Sequence, residues 1–320
     1  MNKAMKPYYE DSHVTVYNSD ALTALKAMPS ESIDMCMTSP PYWMQRNYHI
    51  DGQLGLERTF TEYIDKLIAV FDEIKRILKK TGTCWVNIDD SYSGSGGCHK
   101  AGGKNDTGFQ GKLDPLKGGP GNHTNEVIAK SLIGIPERFV IAMIDHGWIR
   151  RNTIIFYKPN CMPESVKDRF TNDFEFLYFF SKQPKYYFEQ QFEPQDEASL
   201  LRAMRGWNGD TERDYINGPQ SHINKYFNKS KDEIDQLRIK GRNMRTVWKI
   251  VTEPSGEDHY AAYPEKLCET PILAGCPSAI CTKCGKAREK IYERQNMIIR
   301  KTDGYAEASG NRTTTAGTMI

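Results

Sequence analysis

A chain of 320 residues, 38% of them hydrophobic, is long enough for one sizeable α/β core with a smaller appended module. No apolar run approaches the roughly 18 residues of a membrane span, and the opening MNKAMKPYYEDS is too polar for a secretory signal, so a globular protein of the cytosol with no membrane partner is expected. A net charge of +2 excludes neither nucleic acid nor small molecules as partners, which leaves local charge to decide.

His13 to Tyr17 (HVTVY) reads as a short strand, Ala21 to Ala27 as a helix with Asp20 placed to cap it, and Ser32 to Thr38 (SIDMCMT) as a second strand. Phe60, Ile64, Leu67, Ile68, Phe71, Ile74 and Leu78 then recur at helical spacing. Thr59 and Glu62 make a capping box at the start of that helix, and Gly82 reads as its stop. Thr83 to Ile88 (TCWVNI) is the next strand. From Gly94 to Gly121 the chain is glycine-rich without hydrophobic period and carries Lys100, Lys104, Lys112 and Lys117, the pattern of a long mobile loop; its lysines suit phosphate contacts and equally suit plain solvation. Pro136 opens a helix bearing Phe139, Val140, Met143 and Ile144, which Gly147 ends. Thr153 to Tyr157 and Phe174 to Phe180 read as buried strands. The alternation favours a mostly parallel sheet covered on both faces. Residues 189–245 differ, being polar and rich in Arg, Lys and Asn with isolated Trp207, Tyr215, Tyr226 and Phe227; this is the composition of a recognition insert. From Lys301 onward the chain is rich in Gly, Ser and Thr without periodicity, as a flexible tail would be.

The segment with the most chemical content is Met37 to Trp43, MTSPPYW, where a parallel strand would end. Ligands in open α/β sheets bind beyond the carboxyl ends of strands. Two prolines fix their own φ and hold the preceding residues extended, giving a stiff turn whose carbonyls no helix consumes. Ser39 Oγ and the Pro40 carbonyl can then accept both protons of one amino group, and Tyr42 offers a flat face for a planar ring.

TSPPYW resembles the catalytic motif of the bacterial DNA amino-methyltransferases, which act on cytosine N4 or adenine N6. DGQLGLE (Asp51 to Glu57), TGTCWVNIDDSYSGSG (Thr81 to Gly96), IPERF (Ile135 to Phe139), KPNCMPESVKDRF (Lys158 to Phe170), RNMRTVWKI (Arg242 to Ile250) and HYAAYPEKL (His259 to Leu267) all look like one subgroup of that family. The resemblance implies a Rossmann-like methyltransferase sheet, with Ser39, Pro40, Pro41 and Tyr42 catalytic and the serine form more typical of cytosine N4. It implies S-adenosylmethionine as cofactor, with His259, Tyr263 and Pro264 beside its methionine end and Asp20 beside its adenosine. It also implies double-stranded DNA with a flipped target base as partner. Lys158, Lys167 and Arg169 would lie near that base and its strand, while Arg202, Arg205 and Arg213 mix with aromatics in the insert as a strand-contacting surface does.

The catalytic motif precedes HYAAYPEKL, the order of the circularly permuted class. The division expected is a catalytic half over 1–188, a target-recognition insert over 189–245, a cofactor-side segment over 246–275, a cysteine module over 276–300 and a flexible tail over 301–320. The glycine-punctuated cofactor strand of the family is not found after the cysteine module. The sheet is therefore expected to be incomplete, with a complementing C-terminal chain as one way to finish it. On this reading the His13 to Tyr17 strand belongs at the far edge of the sheet and Ser32 to Thr38 near its middle. Cys281 and Cys284 form a C-x-x-C before Gly285, half of a zinc knuckle, to which Cys276 can add a third ligand or remain core.

Overall fold

The computed structural model describes residues 5–45, 47, 48, 50–93, 127–205, 230–252, 263–284, 287, 292–294 and 317–319. Residues 1–276 form one compact unit and 277–320 a second.

The chain opens with an exposed hairpin, β1 (Tyr9–Glu10) against β2 (Thr15–Val16), so the strand expected at His13 to Tyr17 pairs locally and does not enter the main sheet. Helix α1 (Ala21–Ala27) follows, capped by the Asp20 carboxylate, which accepts from the Thr23 N–H at 2.9 Å. Then come β3 (Ile33–Thr38), α2 (Phe60–Ile77), β4 (Leu78–Ile88), α3 (Ile135–Asp145), β5 (Ile149–Tyr157) and β6 (Phe174–Ser181). Residues 189–245 supply β7 (Phe192–Glu193), α4 (Glu197–Arg205), α5 (Lys231–Lys240) and β8 (Arg242–Asn243); β9 (Val247–Lys249) and α6 (Glu265–Gly275) follow. In the second unit, β10 (Tyr292–Arg294) pairs antiparallel with β11 (Gly317–Met319), which lies in the stretch read as a tail. Among the described residues no helix is long and apolar enough to cross a membrane.

Five strands form the main sheet in the order β3-β4-β6-β5-β9. β3 pairs parallel with β4, β5 parallel with β9, and β6 runs antiparallel to both of its neighbours. The mostly parallel sheet therefore has one reversed central strand. The reason is the connection: no crossover helix stands between β5 and β6, and without one the chain can return only antiparallel. β3 lies at an edge among the described strands.

Both faces are covered, as period-2 side-chain alternation requires. Cys84, Val86 and Ile88 of β4 with Tyr178 and Phe180 of β6 meet the apolar stripes of α2 and α3 on one face. Phe71 and Phe139 meet there with ring centroids 5.0 Å apart, edge to face. On the other face Trp85 stacks on its register partner Phe179 at 4.0 Å, beside Leu177, Leu267 and Ala274. Helix α6 reaches this face through Gly275, where a Cβ would sit 2.7 Å from Thr83 Oγ1 and 3.0 Å from Met35 Cγ.

Helix α2 starts as read, with Thr59 Oγ1 accepting from the Glu62 N–H at 3.1 Å, but Gly82 does not stop it. The helix ends at Ile77, and Leu78 turns extended (φ −65°, ψ 137°) straight into β4. Leu78 is fully buried and pairs with Ile33, whereas the next pair is Met35 with Thr83, so the intervening residues bulge out. Gly82 serves that bulge: a Cβ there would meet the Lys79 carbonyl at 2.9 Å.

β7 pairs antiparallel with β8, and Ser230 caps α5 in a reciprocal box with Glu233. Glu193 accepts from Arg242 at 2.8 Å and from Arg245 at 2.6 Å, locking the two strands. The lysine-bearing segment 94–126 and the polar stretch 206–229 lie outside the described residues.

Candidate active site

The carboxyl ends of β3, β4, β5 and β9 open on one edge of the sheet, together with the first residues of β6. Ser39 to Tyr42 leave β3 there. Pro40 is buried, and Tyr63 of α2 donates its hydroxyl to the Pro41 carbonyl at 2.7 Å. The back of the turn is Gly55, at φ +96°, whose absent Cβ would lie 3.1 Å from the Tyr42 carbonyl and 3.4 Å from Pro41 Cβ. The Met44 N–H donates to the Gly55 carbonyl at 2.7 Å, and Trp43 Nε1 donates to the Glu57 carbonyl at 3.0 Å. The buried Glu57 carboxylate accepts from the Gly55 N–H at 2.8 Å and faces Lys66 Nζ at 3.4 Å. So the DGQLGLE segment is the wall against which SPPYW is set. Among the described residues no hydrogen bond is made to the Pro40 carbonyl.

In front of the turn, Tyr42 Oη donates to Glu175 Oε2 at 2.8 Å and stands 3.2 Å from Asn87 Oδ1. Burial first, then the charge of Glu175, push this phenol well above its usual range, so it stays a donor. Asn87 Nδ2 donates to the same Glu175 Oε2 at 2.9 Å and to the Phe176 carbonyl at 3.1 Å. Lys158 Nζ donates to Glu175 Oε1 at 2.9 Å. Beside them Asp89 is pushed up to about 7, by burial first and then by Glu175, against the Asp90 N–H and Lys158, which lower it. Asp90 itself caps α3, accepting from the Gly134 N–H at 2.8 Å and the Ile135 N–H at 3.1 Å.

The raised Asp89 value has a sign. The folded state holds this proton more tightly than an unfolded aspartate near about 3.9, so the stability it contributes is full below that value and is lost as pH rises towards about 7. Asp89→Asn keeps the neutral form at every pH and retains an oxygen for the Asp90 N–H. Its melting temperature should exceed that of the parent at pH 8, exceed it by less at pH 5, and converge with it only near pH 4 and below; a difference that does not change across that window would show that Asp89 titrates normally.

Residues 33–279 match the family model described as DNA methylase, of the N6/N4 methyltransferases. The chain belongs to this family. The type II methyltransferase M.Cfr9I of Citrobacter freundii is 35% identical to the methylase over 260 residues, covering 81% of this chain and 72% of that one. M.XycI of Xanthomonas campestris pv. cyanopsidis is 39% identical over 269 residues, with the same two coverages, 81% and 72%. Among solved structures, a PvuII DNA methyltransferase described as cytosine-N4-specific superposes on 86% of this chain and 75% of its own, with a TM-score of 0.51 at 18% identity, a likeness of fold.

Elsewhere in the methylase, the Asp20 carboxylate is exposed and kept ionised by the Thr23 N–H, so the capping role leaves it charged at the surface. Pro264 is the extended N-cap residue just before α6, and Tyr263 packs into the cluster holding Met35 and Met37. Burial, then Cys268, push the Tyr263 phenol up to about 12. His259 and Arg213 lie outside the described residues, as does the side chain of Arg205. Lys167 and Arg202 are exposed, while Arg169 pairs with Glu164 and covers the Tyr92 ring at 4.1 Å. Lys158, read as a DNA contact, has Glu175 as its partner here. In the second unit Cys281 and Cys284 are exposed, and backbone N–H groups of Cys284 and Lys283 lower the Cys281 thiol. Cys276 is half-buried at the end of α6. Among the described residues no group of three or more His, Cys, Asp or Glu is placed to hold a metal.

Glu175, Asn87 and Asp89 were not among the residues read from the sequence as the site. Glu175 did carry a signal: it is the one charge in the apolar run FEFLYFF, and buried carboxylates persist only with partners.

Proposed function

We propose that this methylase moves a methyl group from S-adenosylmethionine to an exocyclic amino nitrogen of duplex DNA, with cytosine N4 as the target, in restriction-modification or as an orphan modification enzyme. The observation that carries the reading is the braced Ser39–Tyr42 turn at the carboxyl ends of the strands, with the Tyr42 ring held and no hydrogen bond to the Pro40 carbonyl among the described residues. The amino nitrogen of a base shares its lone pair with the ring and is a poor nucleophile. Ser39 Oγ and the Pro40 carbonyl accept its two protons and localise the pair as the nitrogen becomes tetrahedral. The base must leave the duplex to reach them, and the Tyr42 face receives it. Most of the acceleration then comes from position.

S-adenosylmethionine supplies an activated methyl on a sulfonium. Asp20, Tyr263 and Pro264 are the described residues that would hold it: an ionised surface carboxylate suits hydroxyl and ammonium donors, and Tyr263 is an aromatic wall beside β3. The position of β3 at an edge among the described strands supports a permuted sheet. Lys167, Arg169, Arg202, Arg205 and Arg213 serve as DNA contacts. Cys281 and Cys284 fit half of a tetrahedral zinc site, which needs further ligands.

The serine at position 39 favours cytosine over adenine, by resemblance. Nucleoside mass spectrometry of unmethylated DNA incubated with the chain and S-adenosylmethionine tests this, and N4-methylcytosine is expected. N6-methyladenine as the sole product would reassign the base. DNA that is bound and left unmodified would make the chain a DNA-binding subunit instead.

A further inference from the structure

A stacking wall needs only a ring, and phenylalanine would supply one; the hydroxyl of Tyr42 therefore has another task. It crosses from the turn after β3 to Glu175 at the start of β6, 133 positions away in sequence, at 2.8 Å. The same carboxylate takes Asn87, at the end of β4, at 2.9 Å. It also takes Lys158, the residue after β5, at 2.9 Å. One side chain thus gathers four strand ends. The Lys158 and Glu175 side chains are each only 18% exposed, so their pair is poorly screened by water. The backbone repeats the closure, with the Lys158 N–H donating to the Asp173 carbonyl at 2.7 Å. Both oxygens of Glu175 are thus engaged, Oε2 by Tyr42 and Asn87 and Oε1 by Lys158.

We infer that Glu175 is a positioning residue for methyl transfer: it fixes the plane of the Tyr42 ring, and through it the angle at which the target base meets Ser39 and Pro40. The inference rests on the proposed function of the turn. Lys158 holds the carboxylate, and Asn87 sets which oxygen faces the phenol. Glu175→Gln can still accept from Tyr42 and Asn87 through its amide oxygen, but it turns an NH2 towards the Lys158 ammonium, so it should fall between the parent and Glu175→Ala.

The test is a cycle of Glu175→Ala, Tyr42→Phe and the double variant, assayed by tritium transfer from S-adenosylmethionine to unmethylated genomic DNA. Each single variant should lower kcat between about tenfold and a hundredfold, the range for a reacting group displaced by a fraction of an ångström to an ångström. KM for DNA should stay within about twofold, because phosphate contacts lie elsewhere. The double variant should be no slower than Glu175→Ala, and Glu175→Gln should recover part of the rate. A residue that only supports the fold would lower melting temperature and active fraction without this pairing in kcat. An active parent with Tyr42→Phe at the parental rate, or with losses that multiply, would overturn the positioning role and leave the reading of the turn intact. A parent with no methyl transfer at all would overturn that reading and the positioning role with it.

Discussion

Ser39→Ala should lower the rate of methyl transfer by about a hundredfold or more while duplex affinity, read by gel shift, stays within about twofold. The size follows from the chemistry, because one preorganised partner of a charge-developing centre is worth about 10²–10³ in kcat. On the proposed function, Ser39 is one of two acceptors for the same nitrogen. The Pro40 carbonyl would not take over, since on that reading it receives the second proton, and the Pro41 carbonyl is occupied by Tyr63 at 2.7 Å. Affinity should survive because sequence-independent binding comes from phosphates met by lysine and arginine, and the turn contributes none. Ser39→Ala also removes little volume from a turn braced by Tyr63, Gly55 and Trp43, so the fold should not change. Single-turnover tritium transfer beside the gel shift separates the two effects. A variant within fivefold of the parental rate would remove Ser39 from the chemistry, and a parallel loss of affinity would make it a binding residue.

What the sequence disclosed and what it hid divide along a physical line. Helix α2 was legible because its apolar period, its Thr59 cap and its length act within a single segment, and the core confirms Phe60, Ile64, Leu67, Ile68, Phe71 and Ile74 as buried. The position of SPPYW at a strand end was legible for the same reason, since β3 and the prolines are contiguous. The direction of β6 was not, because FEFLYFF is apolar on both faces and looks the same whichever way it runs. Gly82 misled because a glycine after a helical period suggests a cap, and only pairing of Leu78 with Ile33 shows that the helix has already ended. Glu175 could not be joined to Tyr42 by any local pattern: the carboxylate, the phenol and Lys158 meet only because β3, β4, β6 and β5 are ordered side by side.

The packing of α6 is the place where a single added group should do most damage to the fold. Gly275 is buried against β3 and β4, and a Cβ there would lie 2.7 Å from Thr83 Oγ1, 3.0 Å from Met35 Cγ and 3.3 Å from Trp85 Nε1. Met35 can move its side chain, but Thr83 is fully buried and its hydroxyl accepts from Trp85 Nε1 at 3.3 Å, while Trp85 is stacked on Phe179. Two opposed terms act on Gly275→Ala: a gain of about 0.5–1 kcal/mol from helix propensity and an overpacking cost of about 1–3 kcal/mol. The cost should win, though modestly. Gly275→Val has no such offset, because a β-branched residue gains little in a helix and its stiff χ1 cannot turn both methyls away from the sheet. A loss of about 3 kcal/mol is expected, which in a unit of this size lowers the melting temperature by about 6–12 °C. The helix also carries Tyr263 and Pro264 at its other end, so the fraction that stays folded should show a raised KM for S-adenosylmethionine with kcat at saturation less affected. Calorimetry and cofactor titration of the two variants check both parts. A Gly275→Val chain that melts with the parent would mean that α6 rides loosely on the sheet, and that it does not hold Tyr263 at the proposed cofactor site.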